Sequence, residues 1–381
     1  MKKWLAVGVM SGTSMDGIDA ALISVQQTQE SLRTQILSNS YQAYSPSLRA
    51  RIREIIEDDS MIDAAYFGAL WSEITAKLIL KMLKKEKVST EKVDVVGVHG
   101  QTLFHAPRKV SQFGIKLNMT IQAADLSRLA IRTGIRVVGN FRSADLAAGG
   151  EGAPLAPHAH RFLFDSKNTC TMVQNMGGIG NITVLKNNEV ALAFDTGPGN
   201  IWLDTITRWH SKGKLHYDRN GLLAKKGSFH KELYKRLLDH PYFLKKPPKS
   251  TGWELLGENY LRKWKKSLLS ISLEDALHTA SVATVDITID AYDRHVLTKF
   301  RPKGLIVCGG GAKNSFLMHL FKEGLPKLDV KTSDEWGIPC DHVEASSFAL
   351  LAIQTLRNQP NNEPKATGAK RRVVCGLIAN P

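Results

Sequence analysis

The segment Ala6–Val25, AVGVMSGTSMDGIDAALISV, decides how the rest of the chain is read. Apolar and β-branched residues lead into it, a polar knot from Ser11 to Gly17 interrupts them, and apolar residues resume at Ile18. This is the pattern of two strands around a tight glycine-rich turn. Gly12 and Gly17 suit turn backbone, and Ser, Thr and Asp are ordinary turn formers, so a plain hairpin accounts for the turn but not for its length. A phosphate-binding turn accounts for more. Successive backbone N–H groups make an anion nest, and Ser11, Thr13 and Ser14 add hydroxyl donors. Asp16 and Asp19 would repel phosphate unless a divalent cation lay between them, and so they imply magnesium. The loop is not of the Walker type, which ends in Gly-Lys-Ser/Thr and enters a helix, whereas here a strand follows.

The same theme returns. VQNMGGIGNITVL from Val173 aligns in outline with VGVMSGTSMDGIDAAL from Val7, Met10 and Gly12 falling on Met176 and Gly178 at one constant offset. A glycine-turn hairpin used twice suggests an internal duplication. The length, 381 residues, agrees, because single cores stop growing near ~250 to 300 residues. With 43% hydrophobic and 23% charged residues the chain is globular rather than disordered.

Other totals exclude function classes. The four cysteines, Cys170, Cys308, Cys340 and Cys375, form no CxxC pair, which argues against a zinc site or a disulfide framework and for a reducing, cytoplasmic setting. No window approaches the ~18 consecutive apolar residues of a membrane span. The net charge of +15 is spread over KMLKKEK, FLKKPPK, RKWKK and GAKRR without interleaved aromatics, so a solvated basic surface fits better than nucleic-acid binding.

Further along, residues 47–57 and 61–87 carry helical spacing, the second with Tyr66, Leu70, Ile74 and Leu78 along one face. VDVVGVHGQT looks like a buried strand ending at a glycine, and residues 204–300 are mostly helical. The segment from Gln359 onward, polar, basic and Pro-bearing, looks mobile.

Three motifs carry possible chemistry. FDTGPGN puts Asp195 at the end of an apolar strand before a glycine turn, where a carboxylate serves either as general base or metal ligand, or as a turn or helix cap. CGGGAKN, with Gly309, Gly310, Gly311 and Asn314, follows a strand and opens a helix; it suits close approach to a nucleotide, or simply tight strand-to-helix packing. In GVHGQTLFHAP, His99 and His105 flank Gln101 and Thr102, polar groups able to grip a sugar, although strand-end histidines are more often structural.

Together these features resemble the actin and sugar-kinase superfamily. The order GVMSGTSMDGIDAAL, HGQTLFHAP, GGEGAPLAPHAH, NMGGIGNIT, FDTGPGN and CGGGAKN is similar more closely to the anhydro-N-acetylmuramic acid kinase family, from about Val7 to Ala352. That resemblance implies an α/β fold of two ribonuclease-H-like domains with mixed sheets flanked by helices and the active site in the cleft between them. The expected division is residues 1–140, residues 141–358 with a helical insertion, and a basic tail at 359–381. It also implies ATP and Mg2+ as cofactors, and a reaction in which 1,6-anhydro-N-acetylmuramic acid, ATP and water give N-acetylmuramic acid 6-phosphate and ADP in peptidoglycan recycling. Nucleotide contacts would fall on Gly12, Thr13, Ser14, Met15, Asp16, Gly17, Ile18 and Asp19, on Gly178 and Gly197, and on Gly309, Gly310, Gly311 and Asn314. Asp16 and Asp19 would hold the metal, and Asp195 would activate water. His99, Gln101, Thr102, Arg142 and Glu344 would face the sugar, and domain closure would keep out bulk water.

The family usually reads GGQGAP and DFR where this chain has Glu151 and Asn140. The expected partners are the sugar and ATP, with no nucleic acid and no membrane, and a homodimer is an open option. Three alternatives predict different behaviour. A sugar kinase with a plain hydroxyl acceptor would consume no water at the anomeric carbon. A nucleic-acid module would bind in a salt-sensitive way, and an actin-like switch would assemble on ATP.

Overall fold

The computed structural model describes residues 2–12, 15–27, 32–58, 60–164 and 166–381. Its opening hairpin is the expected one. β1 (Lys3–Ser11) and β2 (Gly17–Gln27) pair antiparallel with Met10 opposite Asp19. β3 (Leu32–Ala43) adds antiparallel to β2, and β4 (Val95–Gln112) lies parallel to β1 on its other side. β5 (Ile115–Ala123) pairs only with the far half of β4, and β6 (Val137–Gly139) lies parallel to the near half. A C-terminal strand, Leu377–Ala379, closes the edge antiparallel to β6.

The second sheet is built in the same way. β7 (Cys170–Met176), β8 (Ile179–Lys186) and β9 (Glu189–Pro198) form an antiparallel meander, and β10 (Gly304–Cys308) and β11 (Asp329–Thr332) extend it in parallel from β7. The first sheet reads β3-β2-β1-β4-β6 and then the C-terminal strand, with β5 off this path, and the second reads β9-β8-β7-β10-β11; setting β5 aside, both follow the ribonuclease-H-like order, with the duplicated hairpin as strands one and two of each.

Two compact units result, one of residues 1–165 and 342–381, the other of residues 166–341. This differs from a division at 140 with a separate tail. The helix Val343–Leu356 packs on β1 and β4, because Gly8 and Gly97 sit side by side in the parallel register and offer it a floor without side chains. The segment from Gln359 is not loose either. Asn361, Asn362 and Glu363 are buried, since their polar groups are consumed locally: Asn361 Nδ2 donates to the Leu351 carbonyl (2.9 Å) and Asn362 Nδ2 to Asp145 (2.7 Å). Polar composition alone reads as mobility, but paired polar groups can be buried.

Two long elements depart from the sequence reading. The strand at VDVVGVHGQT does not stop at its glycine but runs on to Gln112, because β5 returns along it. In the helix Met61–Lys85 the buried face is Phe67, Trp71, Thr75, Leu78 and Met82, while Tyr66 is 71% exposed. Each four-residue step drifts by about 40° around a helix. A row from Tyr66 to Leu78 therefore starts in solvent and ends in the core.

Candidate active site

In the first unit the polar knot of the opening segment rests on a buried hydrogen-bond network. Trp71 Nε1 donates to the Tyr44 hydroxyl (2.8 Å), which lies 2.8 Å from Ser11 Oγ. The single Ser11 proton is shared between the Gly17 carbonyl (2.8 Å) and Gln101 Oε1 (2.7 Å). Gln101 Nε2 in turn donates to the Gly12 carbonyl (3.1 Å). Ser11 and Gln101 are fully buried, and burial pushes the Tyr44 hydroxyl up to about 12, so it stays protonated. The network ties the two ends of the turn, Gly12 and Gly17, to one another through side chains. Gln101, read from sequence as a sugar contact, has its amide committed to holding the turn.

The turn itself is defined by Met15, whose N–H donates to Gly12 (3.2 Å) and whose φ of +53° is left-handed. The Asp16 carbonyl accepts from the Tyr44 N–H (2.9 Å), the Tyr41 hydroxyl (2.9 Å) and Arg49 Nη2 (3.3 Å), which pins the backbone and leaves the Asp16 side chain exposed. Asp19 is half-buried on β2, and Ile18 is fully buried in the core. Thr13 and Ser14 lie outside the described residues. Among the described residues no group of three or more His, Cys, Asp or Glu side chains could hold a metal by itself. Magnesium accompanying nucleotide phosphates needs only one or two carboxylates, and an Asp16 and Asp19 pair has that composition.

A second cluster is centred on His99, just before Gln101 on β4. Arg142 donates to His99 Nε2 from Nε (3.2 Å) and Nη2 (2.8 Å), and from Nη1 to the Gly152 carbonyl (2.6 Å). Guanidinium has no acceptor, so His99 Nε2 is unprotonated and Nδ1–H donates to the Gly100 carbonyl (2.7 Å). Burial first, then the Arg142 charge, lowers His99 to about 3. It is therefore a neutral holder of Arg142 rather than a proton carrier. The His99 ring also packs, tilted by 43°, against Phe348, with centroids 4.9 Å apart, in the helix that carries the half-buried Glu344. Thr102, half-buried one residue beyond Gln101, pairs with Gln122 on β5.

The GGEGAP loop is held from behind. Buried Asp145 accepts from the Gly152 N–H (2.8 Å), Asn362 Nδ2 (2.7 Å) and Thr367 Oγ1 (2.7 Å), and the Glu151 N–H donates to the Thr367 carbonyl (2.7 Å). The C-terminal segment thus braces the loop whose carbonyl orients Arg142. Asn140, at φ +56°, accepts from Ser143 Oγ (2.5 Å) at the start of the helix Phe141–Ala147, a left-handed position that asparagine tolerates well.

In the second unit Asp195 stands half-buried near the end of β9, opposite Asn181 at a register shift. Its Oδ2 accepts from the Thr251 N–H (2.9 Å), its N–H donates to the Lys249 carbonyl (3.1 Å), and its carbonyl accepts from the Tyr242 hydroxyl (2.8 Å). The PPKSTG segment, read from sequence only as a loop, therefore wraps the carboxylate. Its Lys-Ser-Thr-Gly after two prolines was the available signal.

The duplicate turn meets two other motifs. The carbonyls of Gly177 and Gly178 accept from the N–H groups of Gly199, Asn200 and Ile201 at the start of the helix Asn200–His210, and Asn200 Nδ2 donates to the Met176 carbonyl (2.9 Å). Gly197, buried, precedes that start. Gly309 takes φ +76° and its N–H donates to the Cys340 carbonyl (3.1 Å); a Cβ there would overlap the Asn175 side chain, and one on Gly311 would strike Met176. Gly310 is exposed. Asn314 Oδ1 caps the helix Ser315–Gly324, accepting from Phe316 (3.0 Å) and Leu317 (3.1 Å). The structure thus brings Gly178, Asn200 and the Gly309–Gly311 run together around Met176, with Asn314 spent on a cap.

The buried histidines of the first unit give a stability prediction. Burial lowers both His99 and His160 to about 3, well under the unfolded value. The unfolded chain therefore takes up protons below pH 6.5 that the folded chain refuses, and the stability present above 6.5 is lost as pH falls toward 3. The slope is about 1.4 kcal/mol per pH unit for each histidine. Urea midpoints followed by tryptophan fluorescence should fall steeply from pH 6.5 to 4. A midpoint unchanged down to pH 4 would contradict neutral burial.

A family model described as anhydro-N-acetylmuramic acid kinase matches residues 4–381. The anhydro-N-acetylmuramic acid kinase of Caldanaerobacter subterraneus subsp. tengcongensis is 37% identical over 98% of this chain and 96% of its own. That of Pasteurella multocida is likewise 37% identical, over 98% and 96%. Among solved structures, the activator of the 2-hydroxyisocaproyl-CoA dehydratase from Clostridium difficile with bound ADPNP superposes with a TM-score of 0.48 at 11% identity, over 93% of this chain and 96% of that one. No helix among the described residues is long and apolar enough to cross a membrane. With a family match from residue 4 to the last residue, on a chain carrying the duplicated hairpin and a loop-wrapped strand-end aspartate, the protein belongs to the anhydro-N-acetylmuramic acid kinase family.

Proposed function

We propose that this protein is an ATP-dependent kinase that opens the 1,6-anhydro ring of anhydro-N-acetylmuramic acid and phosphorylates O6, as a cytoplasmic step of peptidoglycan recycling. The observation that supports this best is Asp195, a carboxylate fixed by the Thr251 N–H at 2.9 Å and still half-exposed, as a base for water must be.

Water attacks the anomeric carbon, and its proton passes to Asp195. The C1–O6 bond breaks, O6 bonds the γ-phosphorus, and the bond from that phosphorus to ADP breaks. One water oxygen is gained at C1 and one proton is released in each turnover. Phosphoryl transfer of this kind is governed by positioning and charge. The Gly12–Asp19 turn, with the hydroxyls of Thr13 and Ser14, would cradle the phosphates, kept in shape by Ser11, Gln101 and Tyr44. Asp16 and Asp19 would hold magnesium, which when bound neutralises phosphate charge. Gly178, Gly309 and Gly310, which are not buried, would let the nucleotide approach their backbone, while buried Gly197 and Gly311 shape the turns behind them. Arg142, oriented by His99 and Gly152, offers a cation to an anionic group of the sugar, and Glu344 and Thr102 offer hydrogen bonds.

The deciding experiment uses magnesium-ATP and 1,6-anhydro-N-acetylmuramic acid in oxygen-18 water. The reaction is quenched within early turnovers, with finished product incubated in parallel to measure spontaneous exchange at C1. Sugar-dependent ADP with one heavy oxygen at C1 above that background is the expected result. ADP formed without heavy oxygen would identify a plain hydroxyl acceptor and reject the coupled reaction.

A further inference from the structure

Lys249 is only 6% exposed, and lysine is rarely buried so deeply without an ionic partner. Its ammonium reaches one carbonyl, that of Phe243, at 3.5 Å, and otherwise lies over the rings of Tyr242 (4.8 Å) and Phe194 (5.6 Å). Among the described residues it makes no ion pair within 4.0 Å. Such a cation is expensive to maintain, and sequence packing alone would favour an apolar residue there.

Its surroundings suggest why it is kept. The Lys249 carbonyl accepts the Asp195 N–H, the Asp195 carbonyl accepts the Tyr242 hydroxyl, and the Tyr242 ring carries the Lys249 ammonium. The three residues close a ring around the Asp195 peptide, and two residues on, the Thr251 N–H fixes the carboxylate itself. The charged groups acting on Lys249 are Asp195 from β9, Asp290 from the helix Leu273–Tyr292, Arg294 and His295 just after that helix, and Lys245 after the turn Pro241–Leu244. Of the two carboxylates, Asp195 acts the more strongly.

We propose that Lys249 is a positioning residue for the base: its ammonium locks the Asp195 peptide through Tyr242 and supplies a nearby positive charge that favours the ionised carboxylate. This rests on Asp195 acting as the base. Burial, opposed by Asp195, lowers Lys249 to about 8, so the locking charge is present at neutral pH and is lost as pH rises through 8.

The test measures kcat and kcat/KM from pH 5 to 10 for the full-length protein and for Lys249→Met and Lys249→Arg, together with melting temperature and ATP affinity. Methionine has nearly the volume of lysine and no charge to bury. Lys249→Met should melt no lower than the parent and bind ATP equally, yet lose about 10- to 100-fold in kcat, with the acid limb of kcat/KM moved upward by at least half a pH unit. Lys249→Arg should recover most of kcat and carry the alkaline limb to higher pH, because guanidinium does not deprotonate in this range. A Lys249→Met variant with the parent's pH profile, or one that melts lower with its acid limb unmoved, would reduce Lys249 to a packing residue and overturn the proposal. Asp195→Asn is run alongside. If it keeps turnover, the reading of the base fails and this proposal with it; if it is inactive while Lys249→Met keeps the parent's profile, only this proposal falls.

Discussion

Asp195→Asn should bind ATP as the parent does and turn over roughly 100- to 10,000-fold more slowly, the span a positioned general base ordinarily contributes. The substitution is nearly isosteric. With its amide oxygen toward Thr251, the substituted side chain would retain the N–H contact at 2.9 Å, and the backbone bonds to Lys249 and Tyr242 do not involve the side chain. What is removed is the capacity to take a proton from water. The loss should therefore appear in kcat and kcat/KM alike, as for an interaction made only in the transition state. Turnover within about tenfold of the parent would remove Asp195 from the role of base and leave the fold and family standing.

The second large effect concerns architecture. Gly97→Val should destabilise the first unit by about 3 kcal/mol or more, a fall in melting temperature of roughly 6 to 12 °C. A Cβ on Gly97 would overlap the carbonyl oxygen of Phe348, and one on its register neighbour Gly8 would overlap that of Ala345. These are backbone atoms of the helix Val343–Leu356, which cannot rotate aside as a side chain would, so the helix itself must lift from β1 and β4. Phe348 supports His99 and so Arg142, and Glu344 lies one turn earlier, which links stability to the proposed sugar contacts. Thermal melting with circular dichroism reads the effect. An unchanged melting temperature would mean that the helix does not rest on this glycine floor.

The motifs were legible because their chemistry is local. Gly, Ser, Thr and Asp within a few residues announce a turn whatever surrounds it, and alternation of apolar residues announces the strands beside it. The doubled hairpin was visible for the same reason, and the strand orders of both sheets agree with it. What escaped were roles depending on distant partners. Gln101 looked like a sugar contact because its sequence neighbours are polar, but Ser11 and Gly12 occupy its amide. Lys249 looked like one more surface charge because its neighbours are Pro and Ser, but Tyr242, Phe194 and Asp195 enclose it. The segment after Gln359 looked mobile because it is polar, but Asp145 and Leu351 receive its amides.

By itself the sequence determined the two hairpins, the family motifs and the residues able to carry chemistry, since covalent order and local backbone preference are enough for these. Only the tertiary structure decided that the last residues return to the first unit, that His99 is a neutral support for Arg142, and that the PPKSTG loop wraps Asp195. A side chain's protonation, burial and hydrogen-bond partner depend on groups that the fold brings from far along the chain, and no local window of sequence contains them.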